Sequence, residues 1–231
     1  MMKNKVAVVT GASKGIGFAI ASELASMGYS LGLIARSKTN IEKASRDIHK
    51  KFPSAKITTG AFDVVNGIKV EKFIKSVCSE LGNISVMVNN AGYYQAGTSS
   101  MPMNEIQRSV DVNYLSAVRF VQAVLPSMKK IGGGYIFNIA SLCGVEAFAD
   151  VGNYSASKFA LVGYSSALAQ ELAPMGIKVT ALCPSWVNTQ NSDDAQIKKE
   201  QMIQPDDIAL TVRYLLGLGA SALVREIVIR C

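Results

Sequence analysis

Tyr154 and Lys158 stand four residues apart in the run N-Y-S-A-S-K-F-A-L-V-G-Y, inside an apolar pattern of helical period. Residues i and i+4 share one helix face, a turn apart. On a solvent face such a pair is decoration. Lining a cavity, it brings a phenol and an ammonium to one reacting group. That combination suits proton transfer, because a free tyrosine titrates near pH ~10 and a neighbouring cation favours the phenolate. Ser141 ends the run G-Y-I-F-N-I-A-S and offers a hydroxyl to charge developing on a substrate oxygen.

A second chemistry is written in T-G-A-S-K-G-I-G, Thr10 to Gly17. Gly11, Gly15 and Gly17 permit a tight turn and close approach of backbone N–H groups to a pyrophosphate, with a helix N-terminus following. The spacing is G-x-x-x-G-x-G, and glycines also serve plain turns. Further along, A-R-S-K places Arg36 where an NAD site usually has a carboxylate. With Lys14 and Lys38 nearby, Arg36 suits a phosphate on the adenosine ribose, the alternative being a solvated loop arginine. N-N-A-G (Asn89 to Gly92), N-I-A-S (Asn138 to Ser141) and Asn113 in D-V-N-Y are each ordinary turn, cap or helix residues when taken singly.

These residues need a scaffold. Seven β-branched runs read as strands: K-V-A-V-V-T, S-L-G-L-I-A, A-K-I-T-T-G-A, S-V-M-V-N, G-Y-I-F-N-I, K-V-T-A-L and E-I-V-I-R. Helical patterns fall between them, near Ile16–Met27, Ile41–Phe52, Val70–Leu81, Glu105–Lys129, Tyr154–Ala173 and Asp206–Leu216. The alternation predicts an α/β, doubly wound, Rossmann-type fold: a seven-stranded parallel sheet with helices on both faces. Residues 1–231 read as one domain, with a short substrate lid near 186–204. Ligands in such sheets bind outside the carboxyl ends of the strands, where the glycine loop, Arg36, N-N-A-G and Ser141 all fall.

Composition narrows the function classes. No apolar run is long enough to span a membrane and no secretory signal pattern is present, so a cytoplasmic location is expected. Cys78, Cys143, Cys183 and Cys231 lack metal spacing, and His49 is the one histidine, so neither a metal site nor a Ser-His-Asp triad is expected. The net charge of +7 is spread over several helices without a recognition motif. It reads as a solvated surface plus one anion site, and no nucleic-acid partner is expected.

Taken in order, T-G-A-S-K-G-I-G, N-N-A-G, Asn113, Ser141 and Y-S-A-S-K resemble the short-chain dehydrogenase/reductase family, from Lys5 to about Val228. The resemblance implies NADP(H) and a catalytic set of Asn113, Ser141, Tyr154 and Lys158. Lys158 would hold the nicotinamide ribose, and Asn113 a water linking Lys158 to solvent. Cofactor contacts carry over to Gly11, Ser13, Lys14, Gly15, Ile16 and Gly17, to Arg36 and Ser37, and to Asn90, Ala91 and Gly92. They extend to Pro184, Val187 and Thr189. Asp63-Val64 matches the family's adenine contact, a helix N-cap being the alternative reading of Asp63.

The implied activity is carbonyl–alcohol interconversion on a small molecule, with Tyr154 as proton donor or acceptor. The alternatives are reduction of 3-oxoacyl groups on acyl carrier protein, with Lys129 and Lys130 as candidate docking residues, and a non-catalytic dinucleotide sensor. Met175 stands where an acyl-carrier reductase can carry a basic residue. Tyr93, Tyr94, Phe148 and Trp186 are candidate pocket walls, and a homodimer or homotetramer is expected. Two departures stand out. Ser185 replaces the family's glycine after Pro184, and E-I-V-I-R-C lacks the V-D-G-G tail, which implies an absent or changed subunit contact.

Overall fold

The computed structural model describes residues 5–189 and 197–231. Seven parallel strands form one sheet in the order β3-β2-β1-β4-β5-β6-β7. They are β1 (Val6–Thr10), β2 (Ser30–Ala35), β3 (Ile57–Ala61), β4 (Val86–Asn89), β5 (Gly134–Ile139), β6 (Ile177–Pro184) and β7 (Glu226–Ile229). The strand order reverses between β1 and β4, the switch point where a crevice opens in a doubly wound sheet.

Alternation along each strand sorts the core into two layers. Ala7 and Val9 pack with α1 (Gly15–Ser26), α2 (Lys38–Lys51) and α7 (Pro205–Gly217). Val6 and Val8 face α3 (Gly67–Leu81), α5 (Ser116–Lys130) and the end of α6 (Gly152–Leu172). The central strands are buried on both faces, which explains their continuous apolar runs.

The helix expected over Glu105–Lys129 is in fact three pieces. α4 (Met103–Val110) leads into a π turn, Asp111–Leu115, and then α5. π turns insert one extra residue and tend to mark functional positions. Here the extra residue rotates the two halves relative to each other. Phe120, Val124 and Met128 of α5 reach the core, while Asn113 is buried at the sheet's carboxyl edge.

The serine after Pro184 needs no glycine-like backbone, since no non-glycine residue among those described has positive φ. Ser185 instead ties down the chain's last strand. Its N–H donates to Ile229 O at 2.8 Å, and its Oγ accepts the Cys231 N–H at 3.1 Å.

Candidate active site

The glycine loop leaves β1 through Gly11 (φ +64°) and enters α1 through Gly15 (φ +56°), both in the left-handed region that favours glycine. A side-chain carbon on Gly17 would lie 2.4 Å from both Gly11 O and Asn90 Nδ2, so this glycine allows helix, loop and β4 tip to meet. Thr10, the first residue of the glycine motif, joins the two strand tips. Its Oγ1 accepts the N–H groups of Asn90 and Ala91, each at 2.9 Å. Asn90 Nδ2 donates back to Thr10 O at 3.0 Å. The loop is thus held open as a preformed cradle with an uncapped helix N-terminus.

From this cradle a cleft of about 1060 Å³ runs across the carboxyl edge of the sheet. One end holds Arg36, Asp63 and Val64, and the other Tyr154 and Lys158. Gly11, Ser13, Lys14, Gly15 and Ile16 line its floor with Asn90, Ala91 and Gly92, and Thr189 closes over Gly15. The dimensions, the bare glycines and the helix N-terminus fit an extended dinucleotide.

Other expected contacts sit behind the lining. Ser37 caps α2 by accepting the Asn40 N–H at 3.3 Å. Pro184 ends β6, and buried Val187 bridges to Ile203. Of the lid, residues 190–196 lie outside the described residues, while Asn188 and Lys199 line the cleft.

Asp63 is not a helix N-cap, because Asn66 caps α3. Its Oδ1 accepts the Val65 N–H at 3.2 Å, and Arg108 Nη2 donates to its Oδ2 at 2.6 Å. Partial burial alone would raise this carboxyl. The Arg108 hydrogen bond, the Val65 N–H and the charges of Arg108 and Arg36 outweigh it and hold Asp63 below its ordinary value. Arg108 was not anticipated. Its signal was a polar stripe at helical spacing, Glu105, Arg108 and Ser109, on a short helix whose one buried residue is the polar Ser109.

At the catalytic end Ser141 and Tyr154 share a hydrogen bond, and the Lys158 Nζ lies 5.7 Å from the centre of the Tyr154 ring. Lys158 is buried and donates to Ile139 O at 3.0 Å. Burial raises the Tyr154 phenol well above its usual value, the Ser141 hydrogen bond opposing it. Burial likewise lowers the Lys158 ammonium to about 8. The i, i+4 spacing predicts a phenol depressed by Lys158. In the chain alone, desolvation of both groups exceeds that attraction. Tyr94 walls the phenol edge-on, its ring centre 5.2 Å from that of Tyr154.

Asn113 belongs to the same cluster, in a way spacing did not disclose. Its Oδ1 accepts the Tyr93 N–H at 2.7 Å. Its Nδ2 donates to Tyr93 O at 2.8 Å and to Ser157 Oγ at 2.9 Å. The amide therefore staples the β4 tip to α6. A side-chain carbon at Gly92 would lie 3.6 Å from Asn113 Oδ1 and 3.9 Å from Lys158 Nζ, so the bare glycine keeps space beside both groups.

Trp186 and Phe148 are exposed outside the cleft, whereas Tyr93 and Tyr94 line it. Lys129 and Lys130 end α5 and lead into the amino end of β5, so they lie across the sheet from the cleft. Met175 sits at that same far edge, just before β6.

A family model described as short chain dehydrogenase matches residues 5–200. An uncharacterized oxidoreductase of Staphylococcus saprophyticus is 33% identical over 230 residues, covering 99% of this chain and 98% of that one. An alcohol dehydrogenase from the archaeon Thermococcus sibiricus, solved with 5-hydroxy-NADP, superposes with a TM-score of 0.88 at 32% identity, covering 98% of this chain and 96% of that one. A betaketoacyl-[ACP] reductase from Bacteroides thetaiotaomicron gives a TM-score of 0.87 at 38% identity, covering 99% and 97%. With a parallel seven-stranded sheet, a glycine cradle at its switch point and a Ser–Tyr–Lys cluster at the end of one cleft, the chain belongs to the short-chain dehydrogenase family.

Proposed function

We propose that the chain is an NADP(H)-dependent oxidoreductase interconverting a ketone or aldehyde and an alcohol. The observation that carries this reading is the meeting of Tyr154 and Lys158 at one end of a cleft whose other end presents Arg36, with Ser141 hydrogen-bonded to Tyr154. The nicotinamide supplies or accepts the hydride.

The protein's own residues handle the proton and the charge. Ser141 donates a hydrogen bond to the substrate oxygen, which orients it and stabilises charge as it builds up. Tyr154, held protonated by burial, gives its proton to that oxygen in reduction and takes it back in oxidation. The Lys158 ammonium stabilises the phenolate left behind and holds the nicotinamide ribose. Asn113 fixes Tyr93 and α6, and so the wall and the helix that carry the reacting groups. Asp63 and Val64 receive the adenine, and Arg36 a phosphate on its ribose.

A panel of ketones and aldehydes, with loss of NADPH absorbance as the readout, tests the reading. Turnover of at least one carbonyl that vanishes in Tyr154→Phe supports it. A panel with NADPH bound but no turnover would favour a non-catalytic sensor. The panel includes 3-oxoacyl thioesters, because the likeness to the Bacteroides reductase supports that substrate class. The far-edge placement of Lys129, Lys130 and Met175 weighs against an acyl-carrier docking patch at this subunit's own cleft.

Two further properties belong to the same reading. Ala156, Phe159, Ala160 and Gly163 line an exposed face of α6, which supports self-association as a homodimer or homotetramer. The four cysteines are unpaired, which supports a reducing, cytoplasmic setting.

A further inference from the structure

Three charged side chains meet at the adenosine end of the cleft. Arg36 follows β2, Asp63 follows β3, and Arg108 arrives from α4, 45 residues beyond Asp63. Arg108 Nη2 donates to Asp63 Oδ2 at 2.6 Å, and the charge of Arg36 acts on the same carboxylate. All three line the cleft.

A carboxylate that lines the same cleft as Arg36 and feels its charge has two consequences for a phosphate arriving there. It competes for the guanidinium, and it repels the anion directly, since a phosphate monoester carries about −1.5 to −2 charges at pH 7. Two guanidinium groups against one carboxylate leave a net positive site. Without Arg108, the remaining pair sums to zero.

We propose that Arg108 is a specificity-determining positioning residue. By engaging Asp63, it leaves Arg36 free for the phosphate on the adenosine ribose. Preference for the phosphorylated dinucleotide is then set by α4 as well as by the tip of β2. Asp63 keeps a place in the site because each of its oxygens retains a lone pair for the adenine. The inference rests on the reading that Arg36 binds the ribose phosphate.

Calorimetric titration of the full chain with NADPH and with NADH tests it, no turnover being needed. Arg108→Leu should lower the NADPH-over-NADH preference by about three- to tenfold, the range for a charge-assisted contact that is one-third exposed. Arg108→Lys should largely keep the preference, because the charge stays. Asp63→Asn combined with Arg108→Leu should restore it, because no carboxylate remains to engage Arg36. Equal losses for both dinucleotides in Arg108→Leu, or no recovery in the double variant, would mean that Arg108 only braces the cleft, and the inference is overturned. Arg108→Gln gives the same comparison if the leucine variant unfolds. Arg36→Ala separates the two ideas. If it weakens NADPH and NADH alike, the phosphate reading itself fails. If it is selective while Arg108→Leu is not, only the role of Arg108 fails.

Discussion

Lys158→Met joins the energetics of the site to its chemistry. The wild-type ammonium is buried with one carbonyl partner, and its pKa falls from 10.5 to about 8. The sign follows from proton uptake. Between the two values the unfolded chain binds more protons than the folded one, so stability rises as pH rises through that window. Below pH 8 the folded state carries the full penalty of roughly 3 kcal/mol, and by pH 10 about three quarters of it is relieved. Methionine has similar bulk and no charge, so the variant lacks this pH dependence. Urea unfolding of both proteins at pH 7, 8, 9 and 10 would follow the difference between them, in which other titrations cancel. Relative to Lys158→Met, the wild type should gain about 2–3 kcal/mol from pH 7 to pH 10. The variant should lose nearly all turnover and bind NADPH more weakly. A difference curve that stays flat within ~0.5 kcal/mol would show that Lys158 is not desolvated as its burial implies, and the account of the catalytic end would have to be abandoned.

Tyr154→Phe keeps the ring and its edge contact with Tyr94, so folding and NADPH affinity should hold while turnover on an accepted ketone drops about 10²–10⁴-fold. Near-wild-type turnover in steady-state assays would rule out the phenol as proton donor. Gly17→Ala places a methyl 2.4 Å from Gly11 O, and should cost about 1–3 kcal/mol of stability and displace the cradle. Thermal melts and NADPH titration read both effects, and an unchanged variant would contradict the close approach. Light scattering at micromolar concentration should report a species larger than the 24.6 kDa chain, and a lone monomer would rule out the assembly reading.

What the sequence by itself determined was local. The i, i+4 spacing of Tyr154 and Lys158, the glycine spacing after β1 and the strand–helix alternation are short-range patterns. Backbone geometry converts such patterns into shared faces and strand tips with little help from elsewhere, and they implied both the fold and the edge of the sheet where the site lies. What only the tertiary structure decided depends on segments far apart in the chain. Arg108 meets Asp63 across 45 residues, and Asn113 staples Tyr93 to Ser157 across 20 and 44. The π turn that places Asn113 interrupts a helix whose periodicity reads as continuous. Lys129 and Lys130 proved to lie across the sheet from the cleft because α5 runs antiparallel to the strands. The direction of the Tyr154 and Lys158 shifts belongs here too. Spacing shows that two groups are neighbours, but desolvation depends on everything packed around them, and that environment exists only once sheet and helices have closed over the pair.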